Sequence, residues 1–226
     1  MHWEDTGYLL SKNKYSENSE ISEIFTKYHG KISGIIFGAT SKKIKNYLQI
    51  GNRLHLNYNY KNDNKIGYFK IEIDRILTPL FFDDKKKLSC IVSTLNLVKI
   101  LTVESQENIN IFKSLENFFK ILKNSNWLKN YILWELEFYK LIGYDLSLKD
   151  IISKEFKNNE IQYYVKSKNI KKNIPSFLID LNINPKNDEE LLYGLKLVSD
   201  YLNKSILKPN NINYPRLRTE FINLLK

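Results

Sequence analysis

The sequence predicts an α+β chain, with a β-barrel over residues 1–79 and an α-helical region over 80–226. Three observations carry this. Arg53 to Tyr60 alternates strictly, with Leu54, Leu56, Tyr58 and Tyr60 on one side and Arg53, His55, Asn57 and Asn59 on the other, the pattern of a half-buried strand. Beyond Pro79 the apolar period changes from two to that of a helix. Six of the eight glycines precede residue 68, and all five prolines follow residue 78, so the two parts are built differently.

The elements follow in order. Strands are expected at Gly7 to Lys12, Glu20 to Thr26 and Lys31 to Phe37, with His29-Gly30 turning the second into the third. Ser41 is placed to cap a short helix whose Ile44, Tyr47 and Leu48 share a face. The strand from Arg53 is joined through Asn62-Asp63-Asn64 to another, in which Phe69, Ile71 and Ile73 alternate with Lys70, Glu72 and Asp74. Three strands, a short helix and two strands is the order of a five-stranded OB barrel.

Helical spacing then runs through Leu88, Ile91, Val92, Leu95 and Val98, through Ile111 to Leu122, and from Leu128 to a stop at Gly143. A Lys- and Asn-rich interval from Ser153 to Asn173 reads as a solvated loop, its alternative being a second nucleic-acid contact through Lys166, Lys168, Lys171 and Lys172. Leu191 to Ile206 and Leu217 to Leu225 give two further amphipathic helices. Asp83-Asp84 and Asp188-Glu189-Glu190 stand at helix starts, where the dipole favours acids, and Trp127 and Trp134 are expected in the core.

The net charge is +10, and it is unevenly placed. Ile24 to Asn62 contains no Asp or Glu but holds Lys27, Lys31, Lys42, Lys43, Lys45, Arg53 and Lys61, interleaved with Tyr28, Phe37, Tyr47, Tyr58 and Tyr60. A/T-rich coding explains abundant lysine, not missing acids. Lysines that neutralise phosphates beside rings that stack on bases are the equipment for holding single-stranded nucleic acid. Lys27, Lys31, Lys42, Lys43, Lys45, Arg53 and Tyr47 are therefore the candidate nucleic-acid-binding residues.

A single cysteine, Cys90, excludes an intramolecular disulfide and a multi-thiolate zinc site, and fits a reducing compartment. The three histidines have no metal-binding spacing, and Gly30, Gly34 and Gly38 lack the order of a phosphate loop. His29, before Gly30, is expected to be structural. No nucleophile or acid–base pair stands out, so no catalysis and no cofactor is expected. The N-terminus lacks the features of a secretory signal and no stretch reaches membrane-span length, so a soluble cytoplasmic protein is expected.

The segments Thr26-Lys27-Tyr28-His29-Gly30-Lys31-Ile32-Ser33-Gly34, Gly38-Ala39-Thr40-Ser41-Lys42-Lys43 and Leu48-Gln49-Ile50-Gly51-Asn52 resemble, in order, the T-x-x-H-G-x-x-x-G, G-A-x-S-K-K and L-Q-x-G segments of the RecO family of bacterial recombination mediators. Gly7-Tyr8-Leu9-Leu10-Ser11, Ser16-Glu17-Asn18-Ser19, Trp134-Glu135-Leu136, Leu141 to Leu146 and Tyr214-Pro215-Arg216 extend the likeness over nearly the whole chain. The resemblance implies an N-terminal OB fold and a helical C-terminal domain. It also implies binding and annealing of single-stranded DNA, contact with double-stranded DNA, RecR as partner, and loading of RecA, met indirectly, onto DNA coated by single-strand-binding protein. A nucleoid-associated location follows from such a role.

The family resemblance also implies docking of the acidic C-terminal tail of single-strand-binding protein on the helical domain, near cations such as Lys196, Lys204, Arg216 and Arg218. One departure stands out: Ile152 to Asn173, where many members carry a four-cysteine zinc site, holds neither cysteine nor histidine, so no metal is expected. Two rival readings of the basic barrel are an RNA-binding module and a protein-interaction adaptor that binds no nucleic acid.

Overall fold

The computed structural model describes residues 2–60, 66–148, 152–157, 160–167 and 170–226. The Asn62-Asp63-Asn64 turn, Lys61 and Lys168 lie outside these. Contacts group the chain into two units, one of residues 1–119 with 215–225 and one of 120–214 with 226.

The first unit holds a closed barrel of β1 (His2–Ser16), β2 (Ser19–Thr26), β3 (Gly30–Phe37), β4 (Arg53–Asn59) and β5 (Gly67–Arg75), in the order β1-β2-β3-β5-β4. All pairs are antiparallel except β3 with β5, and β4 closes on β1. This is the expected OB-like barrel. Its interior is filled by Leu9, Ile24, Ile32, Ile36, Leu54, Leu56, Phe69 and Ile71, the inward members of each alternating run. Burying each of these contributes about 2 kcal/mol.

β1 is far longer than the alternation of Gly7 to Lys12 predicts. Its two halves serve different neighbours, His2 to Tyr8 pairing with β4 and Gly7 to Ser16 with β2, with a bulge between Leu9 and Ser11. Main-chain pairing, not a buried face, defines its ends.

The short helix α1 (Lys42–Tyr47) joins β3 to β4, and Ser41 caps it by accepting the Ile44 amide. Ile44, Tyr47 and Leu48 pack on the barrel core, as their spacing predicts. The following turn is tight. Gly51 has φ +93, and a Cβ there would lie 2.4 Å from Thr78 Oγ1.

Helices α2 (Lys85–Leu101), α3 (Ile109–Ile121) and α6 (Arg216–Leu225) follow, with α2 packed on α6. Asp84 caps α2 through the Lys87 amide. In the second unit α4 (Trp127–Leu141) ends two residues before Gly143 and packs on α5 (Asp188–Tyr201). Asn187 caps α5, and Asp188, Glu189 and Glu190 fill its first turn, favoured by the helix dipole. Trp134 is buried and stacks on Phe138, while Trp127 at the start of α4 is half-buried.

The Lys- and Asn-rich interval is a correction. It is not a loop but an antiparallel sheet, ordered β6 (Ser153–Lys157), β7 (Glu160–Ser167) and β8 (Ile170–Ile174). Register places Phe156, Ile161, Tyr163, Val165 and Ile174 on one of its sides, where Ile174 is buried while Phe156 and Ile161 stay exposed.

Candidate nucleic-acid interface

The barrel's outer side decides which basic residues face solvent. One register row runs across four strands, Arg53–Tyr8–Phe25–Lys31, all pointing outward because their neighbours fill the core. This row is covered by α2, α3 and the segment after α2. Lys31 Nζ donates to the Lys99 and Thr102 carbonyl oxygens, each at 2.6 Å, and the Ser105 amide donates back to the Lys31 carbonyl at 2.9 Å. Burial lowers the Lys31 pKa, against the pull of Glu23 and Glu104.

Gly30 explains the close approach at this seam. It has φ +70, and any Cβ would lie 2.1 Å from the Gln106 carbonyl oxygen. At the row's other end Arg53 bonds Asp74 and, at 2.7 Å, Glu116 of α3. Burial disfavours the charge of Arg53, but its bonds to Asp74 and Tyr8 outweigh that and raise its pKa. Burial pushes the Tyr8 hydroxyl up to about 12, and its ring centroid lies 5.2 Å from that of Phe112 and 5.8 Å from that of Phe119. Beside the row, Lys99 pairs with Glu23, which also accepts from Ser11. Burial works against the Glu23 carboxylate, yet these bonds hold its pKa below the usual value.

Lys31 and Arg53, expected from the sequence to meet phosphate, are thus engaged in holding helices to the barrel. Arg218, expected from the sequence as a secondary contact, is fully buried, with its guanidinium 5.8 Å from the Phe221 ring centroid. Arg216 is exposed and pairs with Glu220 at 2.7 Å. Lys171 pairs with Glu155 and lies 4.0 Å from the Tyr164 ring centroid, and Lys172 lies 3.5 Å from Asp200. Lys166 lies on β7.

Lys42, Lys43 and Lys45 are the opposite case. All three are exposed on α1, with no ion-pair partner among the described residues. Tyr47 is half-buried against the core, with Lys43 Nζ 6.0 Å from its ring centroid. Lys27 Nζ lies 4.5 Å from the Tyr28 ring centroid, on a cleft of about 780 Å³ over β1, β4 and β5 that Glu4 and Glu72 also line. An acid-free run in sequence is therefore not acid-free in space.

The turn before β3 is held by Asp5, whose buried carboxylate accepts from the Tyr28 amide at 2.8 Å and contacts His29 Nδ1 at 2.9 Å. The His29 ring stacks on Trp3 at 3.9 Å, in keeping with a structural role. Exposed Tyr68 and Lys70 on β5 lie beyond the acid-free run and were missed as site candidates. Their signal was the alternation that puts Phe69 inside and its two neighbours outside.

Among the described residues, no three His, Cys, Asp or Glu side chains form a group able to hold a metal ion, and no helix is long and apolar enough to cross a membrane.

Comparison with known proteins bears on the whole chain. The family model for the recombination protein O N terminal matches residues 1–75, and that for its C terminal matches 83–210. The DNA repair protein RecO of Wolbachia sp. subsp. Drosophila simulans is 27% identical, over 99% of this chain and 100% of its own length. That of Rickettsia canadensis is 32% identical, over 74% of this chain and 68% of its own. Among solved structures, asparaginyl-tRNA synthetase of Entamoeba histolytica has a TM-score of 0.29 and 13% identity, covering 94% of this chain and 59% of that one, too slight a likeness to imply a shared fold. With the two family models placed on the barrel and on the helical region behind it, the chain belongs to the RecO family of DNA repair proteins.

Proposed function

We propose that this chain is a non-catalytic recombination mediator: it binds single-stranded and double-stranded DNA, anneals complementary strands, and with RecR promotes RecA loading onto DNA coated by single-strand-binding protein. The observation that carries this, beside family membership, is α1, which presents Lys42, Lys43 and Lys45 to solvent at one end of an OB-like barrel. Two phosphate backbones repel until cations offset them, and exposed lysines without acidic partners supply that offset. Lys27, on the mixed-charge cleft, is a weaker contributor to the same surface.

In this reading residues 1–79 hold DNA, and residues 80–226 dock protein partners, among them the C-terminal tail of single-strand-binding protein. An acidic tail with an apolar end needs an apolar pocket rimmed by cations. The cleft of about 390 Å³ beside α5 suits it poorly, because Glu189 and Glu190 line it. The tail's site is sought elsewhere on the helical region, by binding of a tail peptide to the full chain with and without its terminal apolar residue.

The deciding experiment is annealing of complementary strands coated with the cognate single-strand-binding protein, with and without RecR. Acceleration by this chain supports the reading. No acceleration, with no DNA retained in a filter assay, leaves the adaptor reading standing. Preference for RNA over DNA of equal length supports the RNA-binding one.

A further inference from the structure

We infer that Phe37 and Tyr68 form a base-stacking platform that gives the barrel a preference for single-stranded over duplex DNA; this rests on the DNA-binding reading above. Outward along β3 stand Lys31, Ser33, Ile35 and Phe37, facing Phe25, Glu23, Ile21 and Ser19 of β2. The first two of these rows meet the end of α2, through Lys31 with the Lys99 and Thr102 carbonyls and through Glu23 with Lys99. Half of the β2–β3 face, the face on which OB barrels hold oligonucleotides, is thus filled by the chain itself.

The other half is open. Phe37 is 59% exposed and Tyr68, the register partner of Ile35 on β5, is 37% exposed, while Ile35 between them is buried. A large ring left in water on a strand forgoes burial that a partner can restore. The two ring centroids are 5.9 Å apart with planes inclined at 56°, so the pair cannot sandwich one base; each ring offers its face to a separate one.

Two features select nucleic acid as the occupant over a protein surface. Phe37 leads through residues 38–41 directly into the exposed lysines of α1, and Lys70 stands exposed one alternation beyond Tyr68 on the same side of β5, a lesser contributor because it lines the cleft shared with Glu4 and Glu72. Rings beside lysines that make no ion pair among the described residues match a strand that presents bases and phosphates in turn. A duplex keeps its bases stacked inside, so it can use the lysines but not the rings.

The test compares the full chain with Phe37→Ala/Tyr68→Ala, both positions being exposed enough to leave the fold intact, as circular dichroism and melting would check. Fluorescence anisotropy is read on oligo(dT), on an abasic oligonucleotide of equal length and on duplex DNA. On oligo(dT) the double variant is expected to lose roughly tenfold or more per ring, with the salt slope unchanged. Affinity for the abasic strand and the duplex should stay the same. Phe37→Trp should retain affinity and show quenched fluorescence with oligo(dT).

Unchanged oligo(dT) affinity in the double variant, while Lys42→Glu/Lys43→Glu/Lys45→Glu weakens binding, overturns the platform and keeps the DNA-binding reading. Equal losses on all three ligands overturn it too, as does intact DNA binding with loss of a protein partner, which would assign the rings to protein docking. If the unmodified chain binds none of the three ligands, the DNA-binding reading itself fails and the platform with it.

Discussion

Lys31 and Arg53 on the covered register row, and Lys42, Lys43 and Lys45 on α1, come from one acid-free run, yet the fold gives them opposite fates. The first pair reaches helix-end carbonyls, Asp74 and Glu116, while the three on α1 point into solvent. A basic residue counts toward a binding surface only when nothing in the fold has already engaged it. Net charge locates the supply of cations, and tertiary packing decides which of them remain available.

The contrast breaks most sharply at Arg53. Arg53→Met leaves Asp74 and Glu116 facing a seam without their cation, and should cost about 3–5 kcal/mol of stability, read as a lower urea midpoint. Its DNA affinity per folded molecule should not change. A stable variant with weakened DNA binding would place Arg53 back at the interface.

Charge reversal on α1 should do the converse. At about 0.1 M salt each lost phosphate contact is worth about 1 kcal/mol by counterion release, so Lys42→Glu/Lys43→Glu/Lys45→Glu should bind oligo(dT) about a hundredfold more weakly. The parent chain, if about four phosphates are engaged, should weaken roughly fiftyfold for a fourfold rise in salt, and the variant should show a much flatter slope. Melting temperature should hardly move. Unchanged affinity in the folded variant would remove α1 from the interface.

Lys31→Met removes two hydrogen bonds to helix-end carbonyls, so about 1–3 kcal/mol of stability should be lost with DNA affinity kept. A DNA defect without a stability defect would reverse its assignment.

The smallest effect is alkaline. Tyr8 has a folded pKa of about 12 against an ordinary 10, so between these values the unfolded chain loses its proton first and stability falls as pH rises. At most about 1.4 kcal/mol per pH unit comes from one such group. Tyr8→Phe should therefore remove on the order of 1 kcal/mol of the stability lost between pH 10 and 11, measured by urea midpoints. Lys31 works against this trend, since its lowered pKa makes stability rise with pH up to its unfolded value.

The barrel was legible because its inner face is written as alternation: Leu54 and Leu56, then Phe69 and Ile71, had to share a side, and Ser41 announced α1. The ends of β1 were not, because Glu4, Asp5 and Lys14 pair through the main chain and carry no apolar signal. In β7, Ile161, Tyr163 and Val165 do alternate, but the Lys and Asn around them read as solvent-facing loop. For the site, alternation told correctly that Arg53 lies on the polar side of its strand, with Lys31 read only as the start of β3. It could not tell that residues 99–105 and Glu116, at least 60 positions further on, would cover them. The change of period near residue 80 marks where strands give way to helices, whereas compactness keeps α2, most of α3 and α6 with the barrel.

That last grouping bears on how the molecule is made. The unit that begins with β1 also takes in α6, whose Phe221 and Arg218 are fully buried, and the 95 residues of 120–214 are translated between its two parts. At bacterial synthesis rates of up to about 20 residues per second, α2 waits roughly 5 s or more for the helix that covers it. During that interval the side of α2 that α6 covers is open to chaperones and to other nascent chains, while its side toward β1 already has a partner. A newly made barrel can therefore carry all its strands and still be an unfinished protein.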